Sequence, residues 1–67
     1  MSQKALENQM RSIICSLKPG TEFFLRDIIE NPPALLGRRL YEAVESGDIT
    51  DVVFIGKFKG YDKYQKL

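Results

Sequence analysis

The segment at residues 32–47, PPALLGRRLYEAVESG, carries the marks of one helix at both of its ends. Asn31 stands where an N-cap side chain would accept a backbone N–H. Pro32 and Pro33 suit a first turn, because residues there need no amide hydrogen. Gly47 suits a C-terminal position that requires the left-handed conformation. The pattern predicts a helix with fixed ends, around which the rest of the chain must pack.

This helix is predicted to be apolar on one face and charged on the other. The apolar stripe consists of Leu36, Leu40, Ala43 and Val44. The charged face consists of Arg38, Glu42 and Glu45, with Arg39 on its flank. One side therefore packs on a core, and the other meets water or a partner.

The remaining segments predict two further helices and three strands. Residues 2–17 form an amphipathic helix with a stripe at Leu6, Met10, Ile13, Ile14 and Leu17. Cys15 lies beside this stripe and is predicted to be a small packing residue rather than a reactive thiol. A Lys-Pro-Gly turn ends the helix. The later elements are a strand at 21–25, a short helix at 26–30, and strands at 52–57 and 61–66 around a loop at 58–60.

The order helix, strand, helix, helix, strand, strand predicts a single α+β domain over residues 1–67, of the winged helix-turn-helix type. The early strand joins the terminal hairpin in a three-stranded antiparallel sheet, which is about the smallest stable sheet. The short helix, the Asn-Pro-Pro turn and the longer helix have the spacing of a helix-turn-helix. The expected core is Leu6, Met10, Ile13, Phe23, Ile28, Leu36, Leu40, Val44 and Ile55, with Ile49 and Tyr64 also turned inward.

Composition excludes several classes of function. A chain of 67 residues buries only about 60% of its unfolded surface, so its stability is expected to be marginal. The single cysteine and the absence of histidine predict no disulfide, no metal site and no cofactor. Without a histidine base or a phosphate-binding glycine loop, no catalytic residue and no enzyme activity are predicted. The chain shows neither a signal peptide nor a membrane span, which predicts a cytoplasmic protein with no membrane partner.

Three stretches, LKPGTEFFLRDI, LGRRLYEAVESGDI and VFIGKFKGYDKYQK, carry a set of short motifs. The motif positions are Gly20, Phe23 and Asp27; Leu36, Gly37 and Arg38; Gly47 and Ile49; Gly56 and Lys57; Tyr64 and Lys66. Over residues 17–66 the chain resembles a family of short uncharacterised bacterial and phage proteins. It departs from that family at residues 29–35, where the family is often longer and carries a tryptophan. The resemblance implies a winged-helix-like fold and a DNA-binding character, without an established activity.

Any nucleic-acid site must rest on local charge, because the net charge is only +1. Arg38 and Arg39 occupy the first half of the long helix, the half that enters the major groove in a helix-turn-helix. The hairpin lysines, Lys66 included, would lie along the DNA backbone or in the minor groove as a wing. The sequence therefore predicts a small DNA-binding regulator that contacts double-stranded DNA through Arg38, Arg39, Lys57, Lys59 and Lys63.

Two alternatives stay open beside this hypothesis. Arg38 could pair with Glu42 at i,i+4 as ordinary helix support on a solvated face. The domain could instead be a protein-interaction module, an inhibitor or adaptor of a bacterial or phage complex, if Leu35, Tyr41 and Phe58 lie outside the core. A homodimer through the first helix would serve either function, because dimers bind two half-sites.

Overall fold

The structure, a computed structural model, describes residues 3–67. Its elements are α1 (Gln3–Ser16), β1 (Glu22–Phe24), α2 (Leu25–Ile28), α3 (Ala34–Ser46), β2 (Val52–Phe58) and β3 (Tyr61–Lys66). These three helices and three strands confirm the α+β class and the predicted element order. The predicted first residue of α1, Ser2, lies outside the described part. Within that part, every helix is too short and too polar to cross a bilayer.

The three strands form one antiparallel sheet in the order β1-β3-β2, with β3 at its centre. Phe23 on β1 and Phe54 on β2 both stand opposite Tyr64 on β3. Their ring centroids lie 5.9 Å and 5.7 Å from that of Tyr64, so the three rings form a row across the whole sheet. This row defines the inner sheet face, which packs on the helices.

The core lies between the inner sheet face and the helices. Its buried apolar residues are Met10, Ile14, Phe23, Ile29, Leu36, Leu40, Ala43, Ile49, Val52 and Tyr64. The inward positions predicted for Ile49 and Tyr64 are confirmed. Leu6, Ile13, Ile28 and Val44 are only partly buried and pack around this core. Cys15 is exposed, contrary to its predicted packing role, because it lies one position beyond Ile14 on the turn of α1.

The prediction that Ile55 belongs to the core is wrong, since 38% of the residue is exposed. Strand β2 turns Val52 and Phe54 inward, as their pairing opposite Lys66 and Tyr64 requires. Ile55 is then the extra residue of a β-bulge, because Phe54 pairs with Tyr64 while Gly56 already pairs with Lys63. A single inserted residue therefore reverses the facing of every later residue of β2.

One end of α3 is as predicted and the other is not. Gly47 ends the helix in the left-handed conformation, with φ +82°, and donates its N–H to the Val44 carbonyl. Asn31 is not the N-cap, because its own φ is +46° and the cap position falls at Pro33, which has no capping side chain. A residue that precedes proline is pushed out of helical geometry, so α3 cannot begin before the Pro32–Pro33 pair has passed.

Lys66 is a structural residue, which corrects its placement among the exposed wing lysines. It is only 7% exposed, and its Nζ donates to the carbonyls of Ile14 at 2.8 Å and Cys15 at 3.4 Å. The same ammonium lies 2.9 Å from Asp51 Oδ2. A cation at the last carbonyls of a helix is favoured by the helix dipole. Lys66 thereby ties the end of α1 to the start of β2.

Truncation of Leu40 to alanine should cost about 2–5 kcal/mol of unfolding free energy, because Leu40 is fully buried and the cavity collapses only in part. Chemical denaturation measures this change. Leu35→Ala on the same helix is the matched control, since Leu35 is exposed, and it should change the unfolding free energy by less than about 0.5 kcal/mol. Equal melting of both variants would contradict the position of Leu40.

Replacement of Gly47 by valine should cost at least about 1 kcal/mol, because L residues are strained at positive φ. A Cβ at this position meets no heavy atom within 4 Å, so the loss would report backbone strain and not a clash. Gly47→Asn, which tolerates the left-handed region, should lose less stability in the same thermal melt. If valine and asparagine were equally tolerated, the φ of Gly47 would have to be negative.

Asp51→Asn should destabilise the protein near neutral pH and progressively less in acid. The hydrogen bond from Lys66 holds the pKa of Asp51 below its ordinary value of 3.8. A carboxylate of lowered pKa stabilises the fold at every pH above its ordinary pKa. This stabilisation is lost as the pH falls through the pKa of the folded state. Urea melts across the acid range measure the difference. Glu30→Gln is the control, since exposed Glu30 makes no salt bridge within residues 3–67. If the loss of stability in Asp51→Asn were the same at every pH, the pairing of Asp51 with Lys66 would be refuted.

Candidate nucleic-acid interface

A groove of about 620 Å³ runs between the first half of α3 and the β2–β3 hairpin. Its floor includes Leu40 and the ring of Tyr64, and its polar walls include three cationic side chains, Arg26, Arg38 and Lys57. We call it the α3–hairpin groove. It joins two of the predicted DNA-contacting residues, Arg38 and Lys57, although they lie far apart in the sequence.

The β-bulge at Ile55 is the reason that Lys57 faces this groove. After the bulge, Gly56 stands opposite Lys63 and Lys57 stands opposite Asp62, on the side of the sheet that carries α3. Plain alternation from Phe54 would have sent Lys57 to the opposite side. Gly56 permits the distortion, because its φ is +148° and an added Cβ would lie 3.2 Å from the Phe58 ring.

Lys59 stands at the tip of the hairpin in a two-residue turn with Gly60. Their φ values are +54° and +84°, the positive pair that type I′ hairpin turns require. The predicted loop began one residue earlier, at Phe58, which the structure assigns to β2. Lys59 is exposed and makes no salt bridge within residues 3–67. The turn therefore holds a cation at the outermost point of the hairpin.

The other two predicted contacts lie away from the groove. Arg39 points toward α1, where its Nε lies 4.0 Å from Glu7 Oε1. Lys63 belongs to the sheet face turned away from the helices, opposite Phe24 on β1, and its Nζ lies 3.0 Å from Glu22 Oε1. The predicted set of five cations is thus divided among four places: the groove, the hairpin tip, the side of α3 toward α1, and the outer face of the sheet.

Carboxylates accompany most of these cations. Arg38 Nε lies 3.7 Å from Glu42 Oε2, the i,i+4 pair expected from the sequence, and Lys57 Nζ lies 3.6 Å from Asp62 Oδ1. Such exposed pairs contribute at most about 1 kcal/mol, so a phosphate can displace the carboxylate at small cost. Glu45 adds further negative charge to α3 and raises the pKa of the Tyr41 hydroxyl.

Sequence reasoning missed Arg26, which both lines the groove and stacks on the hairpin. Its Cζ lies 4.3 Å from the centroid of the Tyr61 ring and 5.3 Å from that of Phe24. The available signal was its position two residues after β1, where a long side chain can reach the neighbouring strand β3. Arg26 makes no salt bridge within residues 3–67 and so adds an unneutralised cation to the groove.

The three apolar side chains whose exposure was the condition for an interaction module are exposed: Leu35, Tyr41 and Phe58. Leu35 lies three and four residues before Arg38 and Arg39, on the same exposed face of α3. Within residues 3–67, no group of three or more His, Cys, Asp or Glu side chains could hold a metal ion.

Comparisons with protein-family models, with curated proteins and with solved structures gave no match. The resemblance to short bacterial and phage proteins therefore stays a prediction that rests on its motif residues.

Proposed function

We propose that this chain is a winged-helix domain that binds double-stranded DNA, with α3 as the recognition helix and the β2–β3 hairpin as the wing. The observation that carries the proposal is that Arg38 on the leading half of α3 and Lys57 on the hairpin line one groove, with Lys59 exposed beyond them. In a helix-turn-helix, the leading half of the second helix enters the major groove. Element order and cation placement thus agree on one mode of docking.

Each cation has a distinct task in this mode. Arg38, whose side chain is 76% exposed, can donate two parallel hydrogen bonds to the O6 and N7 edge of a guanine. Leu35, on the same face of α3, can contact a thymine methyl group. Lys57 and Lys59 follow the helix along the sugar–phosphate backbone, where they fix the register without reading sequence. Arg26, on the groove wall, can add a further phosphate contact.

The carboxylates shape the expected affinity. Glu42 and Glu45 share the exposed side of α3 with Arg38 and repel phosphates, so non-specific binding should be weak and sensitive to salt. A site that supplies a guanine edge to Arg38 offsets this repulsion by local hydrogen bonds. The mixed charge therefore favours selective binding over general attachment to DNA, which suits a small regulator.

A protein-interaction module is the second candidate, favoured by one specific observation. Leu35 is 46% exposed, and the charged residues Arg38, Arg39 and Glu42 follow it within two turns of α3. An apolar centre with a mixed-charge rim is typical of protein interfaces. In this role the domain would bind another protein through α3, and Lys59 at the hairpin tip would make no contact with that protein.

Lys59→Asn should weaken binding to all duplex sequences alike and lower the slope of log affinity against log salt by about 0.9, because one phosphate contact is lost. Asparagine tolerates the positive φ of this position, so the turn is kept.

Arg38→Ala should cost about 1–3 kcal/mol of binding free energy on a selected site and relax the preference at one base pair. Salt titrations with a random duplex pool and with the selected site measure both effects.

Lys18→Gln is the charge-matched control, since Lys18 lies in the turn after α1, at the end of the sheet away from the hairpin tip. It should leave affinity and salt slope unchanged. Absence of duplex binding at about 50 mM salt would overturn the proposal. Purification of a specific protein complex that Leu35→Ala disrupts and Lys59→Asn does not would establish the interaction module instead.

A further inference from the structure

The sheet face turned away from the helices carries an exposed cluster of aromatic rings. Because Phe23 and Tyr64 point inward, their neighbours along the strands point outward, among them Phe24 and Lys63. Phe58 and Tyr61 pair with each other beside them and are 48% and 51% exposed. We call the set Phe24, Arg26, Phe58, Tyr61 and Lys63 the outer aromatic face. Folding leaves the rings of Phe58 and Tyr61 at the surface, with Phe24 half-buried beside them.

Two cations lie between the three rings. Lys63 Nζ is 5.2 Å from the centroid of Phe58 and 5.6 Å from that of Phe24. Arg26 Cζ is 5.3 Å from the centroid of Phe24 and 4.3 Å from that of Tyr61. The face therefore alternates ring, cation, ring, cation and ring, and each cation lies within the range of a cation–π contact with both neighbours.

We propose that the outer aromatic face binds single-stranded nucleic acid by stacking unpaired bases. Aromatic rings and arginine guanidinium planes are the surfaces on which unpaired bases stack. The interleaved cations of Arg26 and Lys63 meet the phosphates that separate successive bases. A single strand, with flat bases joined by anionic phosphates, is complementary in shape and charge to the alternating rings and cations of the outer aromatic face.

A duplex does not fit this face, because its bases stack on one another and present only their edges. An apolar peptide fits it poorly, because docking would strip water from two cations without giving them anions. Glu22, which lies 3.0 Å from Lys63 in the free protein, can yield that cation to a phosphate because the pair is solvent-exposed on the carboxylate side.

The proposal goes beyond duplex binding and does not depend on it. The outer aromatic face borders the α3–hairpin groove, because Phe24, Arg26 and Tyr61 also line the groove, while Phe58 and Lys63 face away from it. A duplex in the groove and an adjacent single strand on the outer aromatic face would therefore meet at this shared border. Such a pair of surfaces would suit DNA that is partly opened.

The test is a fluorescence-anisotropy titration of the whole chain with labelled oligothymidylate and with a mixed-sequence single strand, at about 50 mM salt. Phe58→Ala and Tyr61→Ala should each weaken both complexes roughly tenfold, in line with the loss of one stacked base. Tyr61→Phe should stay within about twofold of the parent, because a phenyl ring stacks as well as a phenol. Lys18→Gln controls for the loss of a charge elsewhere.

Tyrosine emission gives a second readout, because the chain has three tyrosines and no tryptophan. A base stacked on Tyr61 should quench part of this emission, and Tyr61→Phe should bind with less quenching. Arg38→Ala separates the two proposals, because it should weaken duplex binding alone. Circular dichroism checks that the alanine variants fold, which their exposed positions favour.

Three results would overturn the proposal. The first is no single-strand binding at low salt by the folded parent chain. The second is single-strand binding that persists unchanged in Phe58→Ala and Tyr61→Ala. The third is self-association, seen by sedimentation, that Phe58→Ala and Tyr61→Ala abolish without changing the affinity for single strands. That result would assign the outer aromatic face to a second copy of the chain.

Discussion

The row of aromatic rings formed by Phe23, Tyr64 and Phe54 is the constraint on which the rest of the structure depends. It joins all three strands at one register, and its rings form the inner sheet face against the helices. The Tyr64 hydroxyl is buried there, and burial raises its pKa, so the side chain stays neutral. Once Tyr64 points inward, the pleat of β3 sends Tyr61 and Lys63 outward. Both candidate binding surfaces follow from that choice.

Lys66 secures the same arrangement at the other end of β3. A buried ammonium is costly unless it is paired, and here it has two helix carbonyls and the carboxylate of Asp51. These bonds fix the sheet against the end of α1 at the side opposite the hairpin tip.

The division of the cations has a functional consequence. Arg38 and Lys57 meet across a groove, whereas Lys63 lies among aromatic rings on the opposite side of the sheet. Charge alone would have grouped all the hairpin lysines into one basic wing. Their neighbours distinguish them: a carboxylate and a helix beside Lys57, two phenyl rings beside Lys63, open solvent around Lys59. The two modes of nucleic-acid contact proposed above rest on this difference in surroundings.

The sequence by itself determined the elements, since helical and alternating periodicities act through neighbours along the chain. It located α1, α3 and the hairpin within about two residues, and the stop at Gly47, because backbone conformation is a local property. The tertiary structure decided which way the hairpin lysines face. The bulge at Ile55 turned Lys57 toward α3, and the pairing of β3 buried Lys66 while it exposed Lys63. No local pattern fixes such choices. A shift of one residue in the pairing register leaves the composition of a strand unchanged but moves each of its side chains to the other face of the sheet.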